Sequence, residues 1–231
     1  MVTGRSKALL ISGLLAMLAQ PGVSAAAVDF PAPPRARVQW VSGNMVYNGR
    51  TMQVRKFDSN LPAGRVLEYY RNIWKDGFKD RPGFIESDAM APWRMISRIT
   101  DDHLLTVQVL AKNNDSTGFL TASLLDEIFQ EVDELGRDFP MMRGSKVVND
   151  IRTPDTGKDG RTLFLSNEFT VNGNANYYRD YYDLRGWRVD MDKAPSQGNQ
   201  HVLAFSKGRQ KVNIVITKDN ERTFVVANSI E

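Results

Sequence analysis

The sequence predicts an α+β protein made by tandem duplication of a β-α-β-β-β module, each copy an antiparallel sheet with one helix packed on a face. The first observation behind this is a set of short signals that recur in one order. Asp29-Phe30-Pro31 returns as Asp138-Phe139-Pro140, Gly49-Arg50-Thr51 as Gly160-Arg161-Thr162, and Tyr69-Tyr70-Arg71-Asn72 as Tyr177-Tyr178-Arg179-Asp180. Gly77-Phe78 is echoed by Gly186-Trp187, and the stretch from Lys112 to Thr117 by that from Lys218 to Thr223. Any one match could be chance, but the shared order points to duplication of one unit. The second observation is a single stripe of apolar residues at helical spacing in each copy. The third is a series of alternating runs after each stripe, separated by Asn, Asp and Gly turns.

Taken in order, Asp29 to Arg37 is Pro-rich and extended. Val38 to Tyr47 holds a short strand with a turn, and Thr51 to Phe57 alternates as a half-buried strand. Ser59-Asn60-Leu61-Pro62 opens a helix carrying Val66, Leu67, Tyr70, Ile73 and Trp74 on one stripe, and Gly77 closes it. Trp93 to Thr100, Leu104 to Ala111 and Gly118 to Leu124 read as three strands. In the second copy, Thr162 to Phe169 is a strand, Asn174 to Leu184 the helix, and Val202 to Ser206 a strand. Lys211 to Lys218 and Arg222 to Ile230 make a closing hairpin turned at Asp219-Asn220. Residues 28–124 thus form the first module and 138–231 the second.

Residues 125–137 connect them. Leu125, Ile128, Phe129, Val132 and Leu135 fall on one helical face with acids opposite, and Gly136 offers a stop, so a docked acidic connecting helix is expected. A solvated linker is the alternative, because so short a helix is marginal alone.

Residues 1–27 have the grammar of a secretory signal peptide. Arg5 and Lys7 start it, and the apolar run from Ala8 to Ala19 is shorter than the roughly 20 residues that span a bilayer. Pro21-Gly22 and the small residues that follow suit cleavage near Ala25 to Ala27, giving a periplasmic or secreted chain of about 205 residues. An uncleaved membrane anchor is the competing reading. Removing Arg5 and Lys7 takes the charge from +3 to +1, with 28 basic against 27 acidic residues. That balance gives no field to attract nucleic acid or an anionic membrane. There is no cysteine, so neither disulfides nor a lipid-anchored cysteine can form.

The sequence carries no catalytic or cofactor signature. It lacks a Gly-x-Ser-x-Gly elbow, a phosphate loop and a dinucleotide fingerprint, so no catalytic residue and no cofactor is expected. Gly49-Arg50-Thr51 reads as a turn opening a strand. His103 and His201 could be drawn as a metal or acid/base pair, but their spacings fit no zinc site, and exposed turn histidines are the preferred reading. Asp190 and Asp192 could hold a hydrated cation, yet nothing else converges on them, which leaves a solvated loop.

The aromatic helices are the most unusual local chemistry. Tyr69, Tyr70 and Trp74 in the first copy, with Tyr177, Tyr178, Tyr181 and Tyr182 in the second, form the candidate binding surface. Adjacent tyrosines point about 100° apart on a helix, so one of each pair must leave the core-facing stripe. Aromatics with a polar tip are enriched at interfaces, and helix-on-sheet packing is the competing use of the same rings. Gly77-Phe78 and Gly186-Trp187 predict glycine stops in left-handed geometry, with the following ring folded back onto the core. Together these features predict an exported, non-enzymatic protein that binds a partner, another envelope protein, as an accessory of envelope or secretion machinery. A lipid or small-molecule carrier with an apolar cavity, and a hydrolase of an envelope polymer working between the modules, are the contrasting classes.

Overall fold

The computed structural model describes residues 28–77, 82–128, 132, 135–155, 158–195 and 198–230. The expected signal peptide with its cleavage site, and Phe78, lie outside the described residues.

Strands β1 (Ala36–Tyr47) and β2 (Arg50–Ser59) form a hairpin, followed by helix α1 (Ala63–Ile73). Then come β3 (Ile85–Ser87), β4 (Arg94–Ile99), β5 (His103–Lys112), β6 (Asp115–Leu124) and the single turn α2 (Leu125–Ile128). The hairpin of β7 (Lys146–Asp155) and β8 (Lys158–Asn167) leads to helix α3 (Val171–Asp183). β9 (Arg188–Lys193), β10 (Gln200–Lys207), β11 (Gln210–Asp219) and β12 (Arg222–Ile230) complete the chain.

All twelve strands belong to one antiparallel sheet, in the order β3-β4-β5-β6-β2-β1-β7-β8-β12-β11-β10-β9. This corrects the predicted fold class. The protein is mostly antiparallel sheet, 54% strand against 15% helix, rather than an α+β pair of separate sheet-and-helix modules. The physical reason is that β1 and β7 both carry an open backbone edge. They satisfy it by pairing with each other, Val46 with Arg152 and Tyr47 with Ile151. Read outward from that β1–β7 seam, the strand order is the same on both sides.

The seam is short in paired residues but rich in side-chain bonds. Asn48 exchanges two hydrogen bonds with the Asp150 backbone, its N–H donating at 2.8 Å and its Oδ1 accepting at 2.7 Å. Tyr47 Oη donates to Asn149 Oδ1 at 2.7 Å. Asp150 itself is buried and holds Arg161 in a two-pronged ion pair, at 2.9 and 2.7 Å. Burial would raise its carboxyl. The Arg161 guanidinium, the Gly136 N–H and the charges of Arg161 and Arg152 more than reverse this and hold it below the usual carboxylate range.

Helices α1 and α3 lie on one face of the sheet, and each seals its own core. The first core gathers Val66, Leu67, Tyr70 and Trp74 of α1 over Phe57, Ile96, Val107, Val109 and Leu120. The second gathers Val171, Ala175, Tyr178 and Tyr182 of α3 over Leu163, Leu165, Leu203, Phe205, Ile214 and Ile216. The repeated Asp-Phe-Pro signal acquires a role here. Phe30 packs edge-on to Tyr70 with ring centroids 6.3 Å apart, and Phe139 meets Tyr178 at 5.9 Å. These interfaces are filled by side chains, and Tyr70 and Tyr178 are at most 1% exposed.

The termini of α1 and α3 are made differently. Thr170 caps α3 by accepting the Gly173 N–H, whereas Pro62 begins α1 with no side-chain cap. At the end of α3, Trp187 N–H donates to Tyr182 O and Gly186 N–H to Asp183 O, the paired bonds of a Schellman motif. Gly186 sits at φ 71°, and the Trp187 ring folds back onto Tyr182 at 5.1 Å, as the glycine-aromatic signal predicts. The matching expectation at Gly77-Phe78 turns on Phe78, outside the described residues.

Among the described residues of the connector, helix is seen at Leu125–Ile128, Val132 is not helical, and Phe129 of the expected apolar face lies outside the described residues. The segment is nonetheless docked on the β1–β2 hairpin. Glu127 Oε2 accepts the Thr51 N–H at 2.5 Å, its carbonyl accepts Arg50 Nε at 3.2 Å, and Val132 packs so close to Gly49 that a Cβ there would clash with it. Asn48 and Gly49 both have positive φ, the signature of a tight two-residue hairpin turn. Gly160, by contrast, lies inside β8 rather than in a turn, so the Gly-Arg-Thr repeat does not mark one shared turn.

Candidate functional site

The Tyr-Tyr-Arg signal of each helix divides its labour by direction. Tyr70 and Tyr178 point into the cores, while Tyr69 and Tyr177, one residue earlier, sit half-buried at the helix flank and lean edge-on against them at 5.0 and 5.2 Å. Trp74 and Tyr182 also belong to the cores. Of the candidate surface, only Tyr69, Tyr177 and Tyr181 keep exposed area.

The arginine that follows reaches across the sheet to a carboxylate on the edge strand. Arg71 of α1 binds Glu86 of β3 through two nitrogens, and Arg179 of α3 binds Asp192 of β9, with Nε at 2.7 Å. Glu86 is held below its ordinary range first by its hydrogen bond to Arg71 and further by the charges of Arg71 and Arg94. Asp192 is pulled down to about 2, first by the Arg179 hydrogen bond and then by that of His201. Glu86 pairs with Ile96 and Asp192 with Leu203, so Arg94 and His201 occupy the same step of their strands.

His201 is therefore not an exposed turn residue. It is 7% exposed on the helix side of β10, with Nε2 at 2.6 Å from Asp192 Oδ1, and its Nδ1 is buried without a hydrogen-bond partner among the described residues. The alternating strand pattern conceals this, because His201 takes the inward position two residues before Leu203. Asp192 is likewise clamped by Arg179 and His201 rather than sitting in a solvated loop. Asp190, its neighbour, pairs with Arg188. His103 opens β5, and seven strands separate it from β10 in the sheet, so the two histidines form no pair. Among the described residues no cluster of three or more His, Cys, Asp or Glu could hold a metal.

At the margin of this packing lies the outer flank of α3, where Tyr177 and Tyr181 rest half-buried against the second core. Tyr177 and Tyr181 stack one turn apart with ring centroids at 6.4 Å and 29° between planes. Arg185, one turn further, lays its guanidinium 3.6 Å from the Tyr181 ring centroid while Nη1 donates to Tyr181 O at 3.1 Å. Leu184 beside them is 83% exposed. Lys207 Nζ donates to Arg185 O at 2.8 Å and so ties the end of this column to β10. Burial raises the Tyr177 phenol and Tyr181 adds to the rise, with Arg185 opposing it. α3 thus carries two stripes, one wholly buried and one displayed. The second stripe is only partly legible: the i, i+4 spacing of Tyr177 and Tyr181 is visible and Leu184 falls inside the expected helix, but Arg185 lies between that helix and its glycine stop.

No helix among the described residues is long and apolar enough to cross a membrane. Comparison with protein-family models, with curated proteins and with solved structures finds no match to this chain.

Proposed function

We propose that this is an exported, non-enzymatic partner-binding protein of the cell envelope, and that the outer flank of α3 is its contact surface. The observation that carries the reading is the Tyr177–Tyr181–Arg185 column beside exposed Leu184. Tyr and Arg are the residue types that dominate binding hot spots, and rings already stacked lose little freedom on docking. Val171, Ala175, Tyr178 and Tyr182 form the buried stripe that holds α3 on the sheet, while Tyr177 and Tyr181 rest half-buried at the margin of that core and keep one side open. Arg179, Arg185 and Arg188 alternate with Asp180 and Asp183 around it, a mixed polar rim of the kind that surrounds such anchors. The filled interface between α3 and the sheet supports binding on the outside of the helix rather than carriage beneath it.

The test is affinity capture from envelope extracts with the wild type and with Tyr177→Ala/Tyr181→Ala, alongside thermal melts of both. Loss of a specific captured protein with a melting temperature within a few degrees supports the proposal. Equal capture by the two proteins would overturn it.

A further inference from the structure

A second site lies at the opposite end of α3, where the loop before β7 meets the end of β8 and the start of β12. Arg143, Gly144, Lys146, Glu168, Phe169 and Arg222 wall a pocket of about 280 Å³, with Ser166 and Asn167 as its floor. The walls are exposed and the floor is buried. The volume falls just under the range of about 300–1,000 Å³ for drug-sized ligands, so it suits a group the size of one sugar or smaller.

Three cations converge here, and the side chains of Arg143, Lys146 and Arg222 make no ion pair or hydrogen bond among the described residues. Arg161, Arg71 and Arg179, by contrast, are each paired with a carboxylate, at Asp150, Glu86 and Asp192. Against one carboxylate, Glu168, they leave the pocket with a net charge of about +2, and a guanidinium fork fits a carboxylate or phosphate through two bonds. Glu168 is an acceptor only, and would repel an anion unless the ligand also brings hydroxyl donors.

The floor and the backbone of the aromatic wall are tied in place by hydrogen bonds. Asn167 and Asn174 exchange side-chain hydrogen bonds at 2.8 and 3.0 Å, and Asn167 also donates to Ser145 Oγ. Phe169 is held by its backbone at both ends, its N–H donating to Asn167 Oδ1 at 3.1 Å and its carbonyl accepting from Thr223 Oγ1 at 2.5 Å. The residue nevertheless stays 41% exposed, an apolar plate beside cations and an acceptor.

We propose that this pocket binds an acidic saccharide unit, with its carboxylate or phosphate on Arg143, Lys146 and Arg222, a hydroxyl on Glu168, and an apolar C–H face against Phe169. The proposal is independent of the α3 flank, which contributes no residue to it. Titration calorimetry at low salt with glucose 6-phosphate, galacturonate, inorganic phosphate and glucose tests it. The expected result is binding of both acidic sugars, at least tenfold tighter than inorganic phosphate, and none of glucose. Arg143→Gln/Arg222→Gln should weaken the acidic sugars at least tenfold. Phe169→Ala should weaken the sugars several-fold while leaving inorganic phosphate unchanged. Both variants change exposed side chains, and their melts should match the wild type. Absence of binding at millimolar concentration, equal binding of glucose and glucose 6-phosphate, or unchanged affinity in the double variant would each overturn the site. Inorganic phosphate binding as tightly as the sugars would overturn the saccharide assignment.

Discussion

Helices α1 and α3 do the same structural work on opposite sides of the β1–β7 seam, yet only one of them displays a second stripe. Each puts a tyrosine into a core against a Phe from an Asp-Phe-Pro segment, and each sends an arginine to the carboxylate of the outermost strand. Where Tyr181 of α3 is followed by Leu184 and Arg185 just past its end, α1 stops at Ile73 and offers Tyr69 and Ile73 alone. Residues serving the core and the edge clamp recur because removing them would expose the sheet. The flank only borders the cores, so the difference there is where function is best sought. The uncovered face of the sheet diverges too. Phe164 and Phe224 stack at 5.5 Å on one side, while Lys56, Asp58 and Lys112 form a charged patch on the other.

The comparison can be broken most severely at the cores. Tyr70→Ala and Tyr178→Ala should each cost about 3–5 kcal/mol, as for other fully buried aromatics. Chemical denaturation would measure both, and a cost near zero for either would show that its helix is not held as described. Asp150→Ala should be nearly as costly, about 3–5 kcal/mol, because it strands Arg161 beside the seam without its carboxylate. Loss of one denaturation transition in favour of two in that variant would show that the seam couples the halves.

A smaller effect should appear in acid. Asp192 has a folded value of about 2 against an unfolded value near 4, so its contribution is fully present above about pH 4 and is lost as pH falls through about 2. Asp192→Asn should flatten that part of the stability–pH curve, and an unchanged curve would contradict the clamp. Smaller still is the contrast between phenols. Tyr70 Oη donates to Pro31 O at 2.7 Å, whereas Tyr178 makes no such bond among the described residues. Tyr70→Phe should therefore cost about 1 kcal/mol and Tyr178→Phe close to nothing.

Much of this architecture could be read from residue order, for reasons that differ by element. Alternation placed β2, β5, β6, β11 and β12, because one face of each is buried and the other is not. The short β3 and the longer β7 and β9 receive no range from the sequence. β7 contains Asp150 and Arg152 where apolar residues are expected, and edge strand β9 is exposed along its whole length. The single sheet was invisible because two bridging residue pairs and an asparagine-rich turn leave no periodic trace. His201 was misjudged because a buried histidine depends on Asp192 and Arg179, partners that only the fold brings near. The 100° offset of adjacent helical tyrosines did anticipate that each pair would split between core and flank.

The central claim is that the α3 flank binds a partner and does not merely close the fold. Its most direct test is the affinity of the captured partner for wild type, Tyr181→Ala and Tyr69→Ala, measured by surface-immobilised binding at matched stability. A loss of tenfold or more for Tyr181→Ala, about 1.4 kcal/mol, with little change for Tyr69→Ala, is the predicted result. Equal affinities for all three proteins would contradict the account.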